Sequence, residues 1–476
     1  MKYLLATILC ALAVLSVVVS ALKPGAPPPG KTPLVWVSDN NPQRAPQIES
    51  FNKLYPDCLL ALDPNNTGIT KVIVQTCAKV GPDIIDVYGI HQLQTYVDAG
   101  VVLDVTDVAK QRGFDPSVTY PKAEGEITID GRQYCFPCNV NTNILFLNKN
   151  LFDKYGVPYP PERPTWDELV ATAAKLTIRK PGSKLPECFG MASIGWEELV
   201  YMAGGRFFNE DGTRCVVDSP EAIRAFGFYQ DLMYRYKVMP TPLEQSAMSS
   251  QGGWGTGWRN WFGSQKIAMI AIGKWALITF RQFADEQRQE RDQWLHDHPG
   301  QEYPDLPPLR MGAVHLPRFV DQPNRCIIAA RSAAVNRLSP NADKAVNFLE
   351  YLASKEYCDT INEGADALPG NTKYATLDYM QRFAQKGEGE EINRLTLEAT
   401  QWGIVRELSP FVDGQTALRL ITTQVQRLEA SPDADVADVC RAAAQDVNEE
   451  MKRNVAGEVR LQMLWNRLTM KRTQAT

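Results

Sequence analysis

Beyond residue 33, short apolar runs alternate with stretches in which apolar residues recur every three or four positions. The first kind of run predicts strands and the second amphipathic helices. Residues 34–37 read as a strand and 43–55 as a helix stopped by Pro56; 58–62 read as a strand, 70–79 as a helix and 83–88 as a strand. Regular alternation of this sort predicts an α/β fold whose mostly parallel sheets carry helices on both faces. In such folds ligands sit beyond the carboxyl ends of the strands, so the loops after Val37 and Tyr88 are the first candidate positions. Further along, Thr165-Trp-Asp-Glu168 is a capping box, in which each end satisfies a backbone N–H of the other. Ser219-Pro220 and Ser339-Pro340 each predict a helix start, with proline at the first position, where its missing N–H is harmless. Residues 281–308 are charged and proline-containing and read as a surface insertion, and from Val436 onward one or two amphipathic helices end in a basic tail. No internal repeat is visible.

The ends and joints have their own signatures. After Met1-Lys2, residues 3–20 are almost wholly apolar and end in Val19-Ser20-Ala21, the pattern of an export leader cleaved after small residues or retained as an anchor. Residues 22–33 hold five prolines and two glycines, the composition of a stiff tether. Within it Gly25-Ala-Pro-Pro-Pro-Gly30-Lys31-Thr32 matches the phosphate-loop pattern. Its context fails, because a leader precedes it, a strand follows, and three prolines remove three of the N–H donors such a loop needs.

Composition narrows the picture further. A chain of 476 residues suits two domains, and 44% apolar with 22% charged residues is ordinary globular usage. The net charge of -5 comes from interspersed acids and bases, which argues against nucleic acid as a partner. Four histidines, no Gly-x-Ser-x-Gly elbow and no His-Glu-x-x-His limit the catalytic options. Nine cysteines follow the leader, and an exported protein permits disulfides whose pairing sequence alone leaves open. Cys135 and Cys138 form a CxxC on an expected strand, where the two Cα atoms stand about 10 Å apart, too far for a mutual bridge. No metal ligand set and no cofactor motif emerges; His296 and His298 lie in charged surface without a third ligand nearby.

Several segments in order resemble one family, the extracellular solute-binding proteins related to maltose-binding protein. Gly81-Pro-Asp-Ile-Ile-Asp86 is followed by Val101-Val-Leu-Asp104, then Gly131-Arg-Gln-Tyr-Cys-Phe-Pro137 and Leu145-Phe-Leu-Asn-Lys-Asn-Leu-Phe152. Tyr155-Gly-Val-Pro158, Thr165-Trp-Asp-Glu-Leu169 and Gly204-Gly-Arg-Phe-Phe-Asn-Glu-Asp-Gly212 come next. The sharpest likeness is Trp261-Phe-Gly-Ser-Gln-Lys-Ile-Ala-Met-Ile-Ala-Ile-Gly-Lys-Trp275. The resemblance implies a two-lobe periplasmic-binding-protein-like fold of type II with its ligand cleft between the lobes. It places a first lobe at 33–140 with 313–365 and a second at 141–310 with 366–476, joined by strands near 138–143, 310–313 and 362–368. It also implies a non-enzymatic, exported monomer that closes on a small ligand and docks on the permease of an ABC importer.

A sugar presents hydroxyls and flat C–H faces, so its site needs aromatic rings and forked polar groups. Trp275 leads the candidates, because the tryptophan of this signature stacks on sugar in the family. Ser38, Asp39 and Asn40 follow the first strand, where ligand contact and ordinary turn chemistry read equally well. Asn141, with Asn139, Thr142 and Asn143, crowds a crossing strand with polar groups that each need a partner. Asn141 stands where maltose-binding members carry a carboxylate, which weakens maltodextrin as the ligand without excluding a carbohydrate. Tyr88, Trp196 and Trp254 are further aromatic candidates, with Trp258 beside them, and Arg331 suits a hydroxyl pair or an acidic group. A secreted glycoside hydrolase needs a carboxylate pair that 55 acids do not exclude. A tethered sensor of the same fold is the other alternative.

Overall fold

The computed structural model describes residues 28–183, 185–248 and 257–475. The expected leader, most of the proline-rich tether and Trp254 therefore lie outside the described residues. Among the described residues eleven strands form in chain order: β1 (Thr32–Val37), β2 (Cys58–Asp63), β3 (Ile84–Tyr88), β4 (Thr128–Ile129), β5 (Arg132–Gln133), β6 (Cys135–Asn148), β7 (Phe189–Ala192), β8 (Ile267–Gly273), β9 (Met311–Val314), β10 (Cys326–Val335) and β11 (Gly403–Ile404). They assemble in the order β2-β1-β3-β10-β6-β8-β7, with β11 on β10 and β9 on β6, while β4 and β5 make a separate hairpin.

The 14-residue β6 explains why this path makes two lobes. Residues 135–142 of β6 pair with β10, and residues 143–148 pair with β8 and β9. Phe136 is buried with Leu34, Trp36, Phe348 and Tyr351 in one core, and ten residues further on Phe146 is buried with Phe189, Ile270 and Phe280 in another. A third cluster, around Trp166, Leu199 and Phe226, backs the β6–β9 part of the sheet and takes in the helices Gly414–Ala430 and Val436–Gly457 through Ile421, Val425 and Val447. One strand thus carries the side chains of two separate cores, the arrangement of the two-lobe periplasmic-binding fold.

The sheet is mixed. The outer pairs β1–β2, β1–β3 and β7–β8 are parallel, as their intervening helices require. The pairs β3–β10, β10–β6 and β6–β8 are antiparallel. Strands that cross from one lobe and return must run against their neighbours, so the parallel share is smaller than the simple alternation suggests.

Local chemistry sets the helix starts. Thr165 and Glu168 form the expected capping box before Trp166–Leu176, and Ser219 caps Pro220–Tyr234 through the Ala222 N–H. Ser339-Pro340 behaves differently from expectation: the Ser339 hydroxyl donates to Asp83 Oδ1 at 2.5 Å, and the helix begins later, at Ala342. The expected surface insertion at 281–308 is largely a helix, Leu277–Asp297, which buries Phe280 and Ala284 and turns its charged side outward. Charge density hid the single buried stripe that such a helix needs. Among the described residues no helix is long and apolar enough to cross a membrane. The nine described cysteines are all unbridged, and Cys77 alone among them is exposed. Cys135 and Cys138 pack inside β6, where burial pushes the Cys138 thiol up to about 12, the opposite of the lowered thiol pKa of a redox CxxC.

Candidate functional site

The loop after β1 is shaped by its own side chains. Asp39 Oδ1 accepts the Asn41 N–H at 3.1 Å and Asn41 Oδ1 accepts the Gln43 N–H at 2.9 Å, a pair of short-range turns that aim the chain into the helix Arg44–Leu54. Arg44 is thereby drawn beneath the loop, 1% exposed. It donates to Asp39 Oδ1 at 3.0 Å, Gln47 Oε1 at 2.9 Å and Asp366 Oδ2 at 3.1 Å.

Arg331 arrives from β10, opposite Tyr88 of β3 and Asn139 of β6 in the strand register, beside a bulge between Arg331 and Ser332. It pairs with Asp86 at 3.1 Å and Asp366 at 3.7 Å. Asp86 also accepts from Trp36 Nε1 at 2.7 Å and Ser38 Oγ at 2.5 Å. The Tyr88 hydroxyl donates to Asp39 at 3.1 Å. The result is an alternating chain, Asp39–Arg44–Asp366–Arg331–Asp86, in which buried charges satisfy each other. Burial works to raise the Asp39 carboxyl, and the neighbouring Arg44 and Arg331 more than offset it, leaving its pKa below the usual value.

This chain floors a cavity of about 380 Å³ at the carboxyl ends of β1 and β3. Asp39, Asn41, Tyr88, Arg331 and Asp366 line one side of it; Asn141, Arg259, Trp275 and Arg406 also line it. Trp275 follows β8 in a short 3-10 turn, Lys274–Ala276, and is partly buried against the second core. The Arg259 guanidinium lies over its ring, 4.8 Å from the centroid. Asn141 lies on β6 where the strand passes between lobes, and its Nδ2 donates to Asn143 at 3.4 Å. Its Oδ1 is buried with no hydrogen-bond partner among the described residues. Gly273 makes room for it, since a Cβ there would stand 1.8 Å from that oxygen. Glu126 lies beneath the floor, wholly buried. Its Oε2 accepts the Ala330 N–H at 3.1 Å, and burial pushes the carboxyl up to about 7.

Five of the nine residues singled out in the sequence come together here: Asp39, Tyr88, Asn141, Trp275 and Arg331. Three do not line the cavity. Ser38 is fully buried below the loop as a support for Asp86, and Asn40 points to solvent. Trp196, expected on the cleft wall, instead packs in the core, 5.6 Å from Phe226 in a stacked pair. A tryptophan at the first position of a helix buried along almost its whole length has a core to fill, and that outweighed its place near the Gly204-Gly205 turn. Trp254 lies outside the described residues. Sequence reasoning missed Asn41, Arg44, Asp366, Arg259 and Arg406. The Asp-x-Asn turn held a clue to Asn41, whereas a buried arginine at a helix start is indistinguishable in sequence from an exposed one.

Two other places compete for attention. A groove of about 520 Å³ runs beside Asp98, Asp413, Arg453 and Arg460. It lies away from the ends of β1 and β3, and Phe411 is the only aromatic residue among its described lining. Glu162, His315 and Glu398 bring three potential metal-ligand atoms within 4.8 Å of one another. Arg394 already bridges both carboxylates, at 2.7 and 2.8 Å, so this is an ion-pair network in which a metal would meet a fixed positive charge.

Comparison with known proteins agrees with the geometry. The profile of the family described as bacterial extracellular solute-binding protein matches residues 42–357. An uncharacterised ABC transporter extracellular-binding protein of Pyrococcus horikoshii is 27% identical over 195 residues, 37% of this chain and 43% of that protein. The chain thus spans less than half the length of that curated relative in the match. Among solved structures, an ABC substrate-binding protein from Listeria monocytogenes in complex with cycloalternan superposes with a TM-score of 0.70 at 21% identity, covering 89% of this chain and 99% of that one. A solute-binding protein from Thermotoga lettingae bound with α-D-tagatose gives a TM-score of 0.69 at 19% identity, covering 88% and 100%.

Proposed function

The chain belongs to the bacterial extracellular solute-binding proteins, and from that premise we propose that it captures a mono- or oligosaccharide in the cavity between its lobes and delivers it to the permease of an ABC importer. The observation that carries this reading is the pairing of Trp275 with Asn141 Oδ1 around one cavity. A ring offers a stacking surface for C–H faces, and a buried oxygen without a protein donor is completed by a ligand hydroxyl. Asp39, Tyr88 and Arg331 on the other side supply acceptors and forked donors for further hydroxyls. Structures of the same fold holding cycloalternan and tagatose support a carbohydrate ligand.

The mechanism is hinge closure. The division into lobes at 33–140 with 313–365, and 141–310 with 366–476, is part of this proposal. It is supported by the placement of Phe136 and Phe146 in separate cores on one strand. Ligand bridging Asp39 and Trp275 links the two bodies, and β6 and β10 flex between them. Binding without turnover follows the family's character. Export to the periplasm or cell exterior rests on the extracellular family and on the apolar run at residues 3–20.

A thermal-shift screen against neutral sugars, polyols, sugar acids, polyamines and metal ions tests the proposal. A ligand at a hundred times its dissociation constant adds about 2.7 kcal/mol of stability, so a saturable shift with a saccharide and no product formation is the expected result. A shift with amines or metal ions alone would remove carbohydrate from the reading.

A further inference from the structure

Asn141 and Asn143 stand two places apart on β6, so their side chains leave the same face of the strand. β6 changes partner between them: Thr142 is the last of its residues paired with β10, opposite Ile328, and Asn143 is the first paired with β8. Glu198 spans that parting. It enters from the first turn of the helix Trp196–Met202 and is 3% exposed. Its Oε1 accepts the Ile327 N–H at 3.0 Å, and its Oε2 accepts Asn143 Nδ2 at 2.7 Å. Burial raises this carboxyl, against the pull of those two donors and of Arg406. With an N–H aimed at each oxygen, Glu198 acts as an acceptor on both sides.

An amide has a donor end and an acceptor end of nearly the same shape, so sterics alone do not choose which way it faces. Here the carboxylate chooses. Asn143 gives its Nδ2 to Glu198, which leaves its Oδ1 for Asn141, whose Nδ2 donates to it at 3.4 Å. Asn141, a cavity-lining residue, is left with Oδ1, the atom that has no partner among the described residues. Resting on the proposal that this cavity holds the solute, we infer that Glu198 is a positioning residue that sets the polarity of the contact at Asn141, so that the solute brings a hydrogen-bond donor, a hydroxyl or an N–H, to that point. Fluorine, an ether oxygen or a carboxylate placed there meets Asn141 acceptor to acceptor and leaves a buried oxygen unsatisfied.

Glu198→Gln reverses the relay without changing its shape. The Ile327 N–H keeps the new side chain's oxygen, so its NH2 faces Asn143, both asparagines turn over, and Asn141 presents Nδ2 instead. The test is calorimetric titration of the full chain with glucose, galactose and tagatose, each beside analogues in which one hydroxyl at a time is replaced by fluorine. In the wild type, fluorine at the position that meets Asn141 is expected to cost about tenfold or more in affinity. In Glu198→Gln the parent sugar, whose hydroxyl both donates and accepts, keeps its affinity within about threefold, and the fluorine penalty at that one position shrinks to about threefold or less. Asn143→Ala cuts the relay in the middle and is expected to shrink the same penalty, which carries the test if Glu198→Gln does not fold. A wild-type penalty that persists in the folded variants would overturn the relay and leave the cavity reading standing. Loss of the parent sugar by folded Glu198→Gln would make Glu198 a packing residue and overturn its positioning role. A panel in which none of the three sugars binds would overturn the saccharide reading of the cavity and this inference with it.

Discussion

At the scale of single residues, the site is built from side chains whose burial makes each one consequential. Trp275 contributes a partly buried ring at the cavity, and anchors of this sort dominate binding energy when they are central. Trp275→Ala is expected to weaken ligand binding by about 2 kcal/mol or more, read by titration with whichever sugar stabilises the protein. An unchanged affinity with the fold intact would place the ligand elsewhere. Glu126 makes a different prediction, about pH. Burial raises its carboxyl from the usual 4.5 to about 7. Between those values the folded state keeps a proton that the unfolded chain has released, so stability falls as pH rises from 4.5 to 7, by roughly 3 kcal/mol in total. Glu126→Gln retains an acceptor for the Ala330 N–H and removes the titration. It should match the wild type near pH 4 and exceed it at pH 8 in chemical denaturation, and parallel pH profiles for the two proteins would acquit Glu126.

Among elements, β6 and β8 carry the argument. They pair antiparallel with Gly273 opposite Asn143, and this register brings Gly273 against the Asn141 side chain. Glycine is required there by the close approach of Asn141 Oδ1 and not by backbone conformation, since Gly273 has an ordinary extended φ of -74°. Gly273→Ala drives a methyl into the amide, and Asn141 must leave its position. The expected outcome is a loss of ligand affinity of about tenfold with a smaller loss of stability, because the amide can swing into the cavity while a packed core residue cannot. Equal losses of both, measured by titration and denaturation, would mean that the pair serves packing alone.

For the whole molecule, the decisive fact is that two cores share one crossing strand. Bodies connected in this way move against each other with few hydrogen bonds broken, because the strands bend where neither core grips them. Small-angle scattering on the protein with and without a saturating sugar is expected to show a smaller radius of gyration in the bound state. An unchanged radius, with binding confirmed, would mean that the lobes are already closed or that the ligand binds one lobe alone. The alternating ion chain has consequences at this scale too, since Asp366 joins Arg44 from the helix after β1 to Arg331 from β10. Removing the shared carboxylate leaves two buried guanidinium groups facing each other, a change expected to cost about 3–5 kcal/mol of stability.

The chain by itself determined the elements near its amino end and the helix starts whose signals are local. Residues 34–37, 58–62 and 83–88 form strands because apolar runs of that length bounded by turn residues have few alternatives, and Thr165 and Ser219 cap helices because their partners lie three residues away. As lining of the cavity, Trp275 and Asn141 were legible through the ordered likeness to a family, and Tyr88 and Asp39 through their place at strand ends. Tertiary structure alone decided which polar residues meet. Asp366 reaches Arg44 across 322 positions of sequence, a distance over which no spacing rule operates. It also decided that Trp196 fills a core while Arg259 covers Trp275. Burial is a property of the assembled sheet, and a tryptophan or an arginine reads the same in sequence whether a second layer lands on it or not.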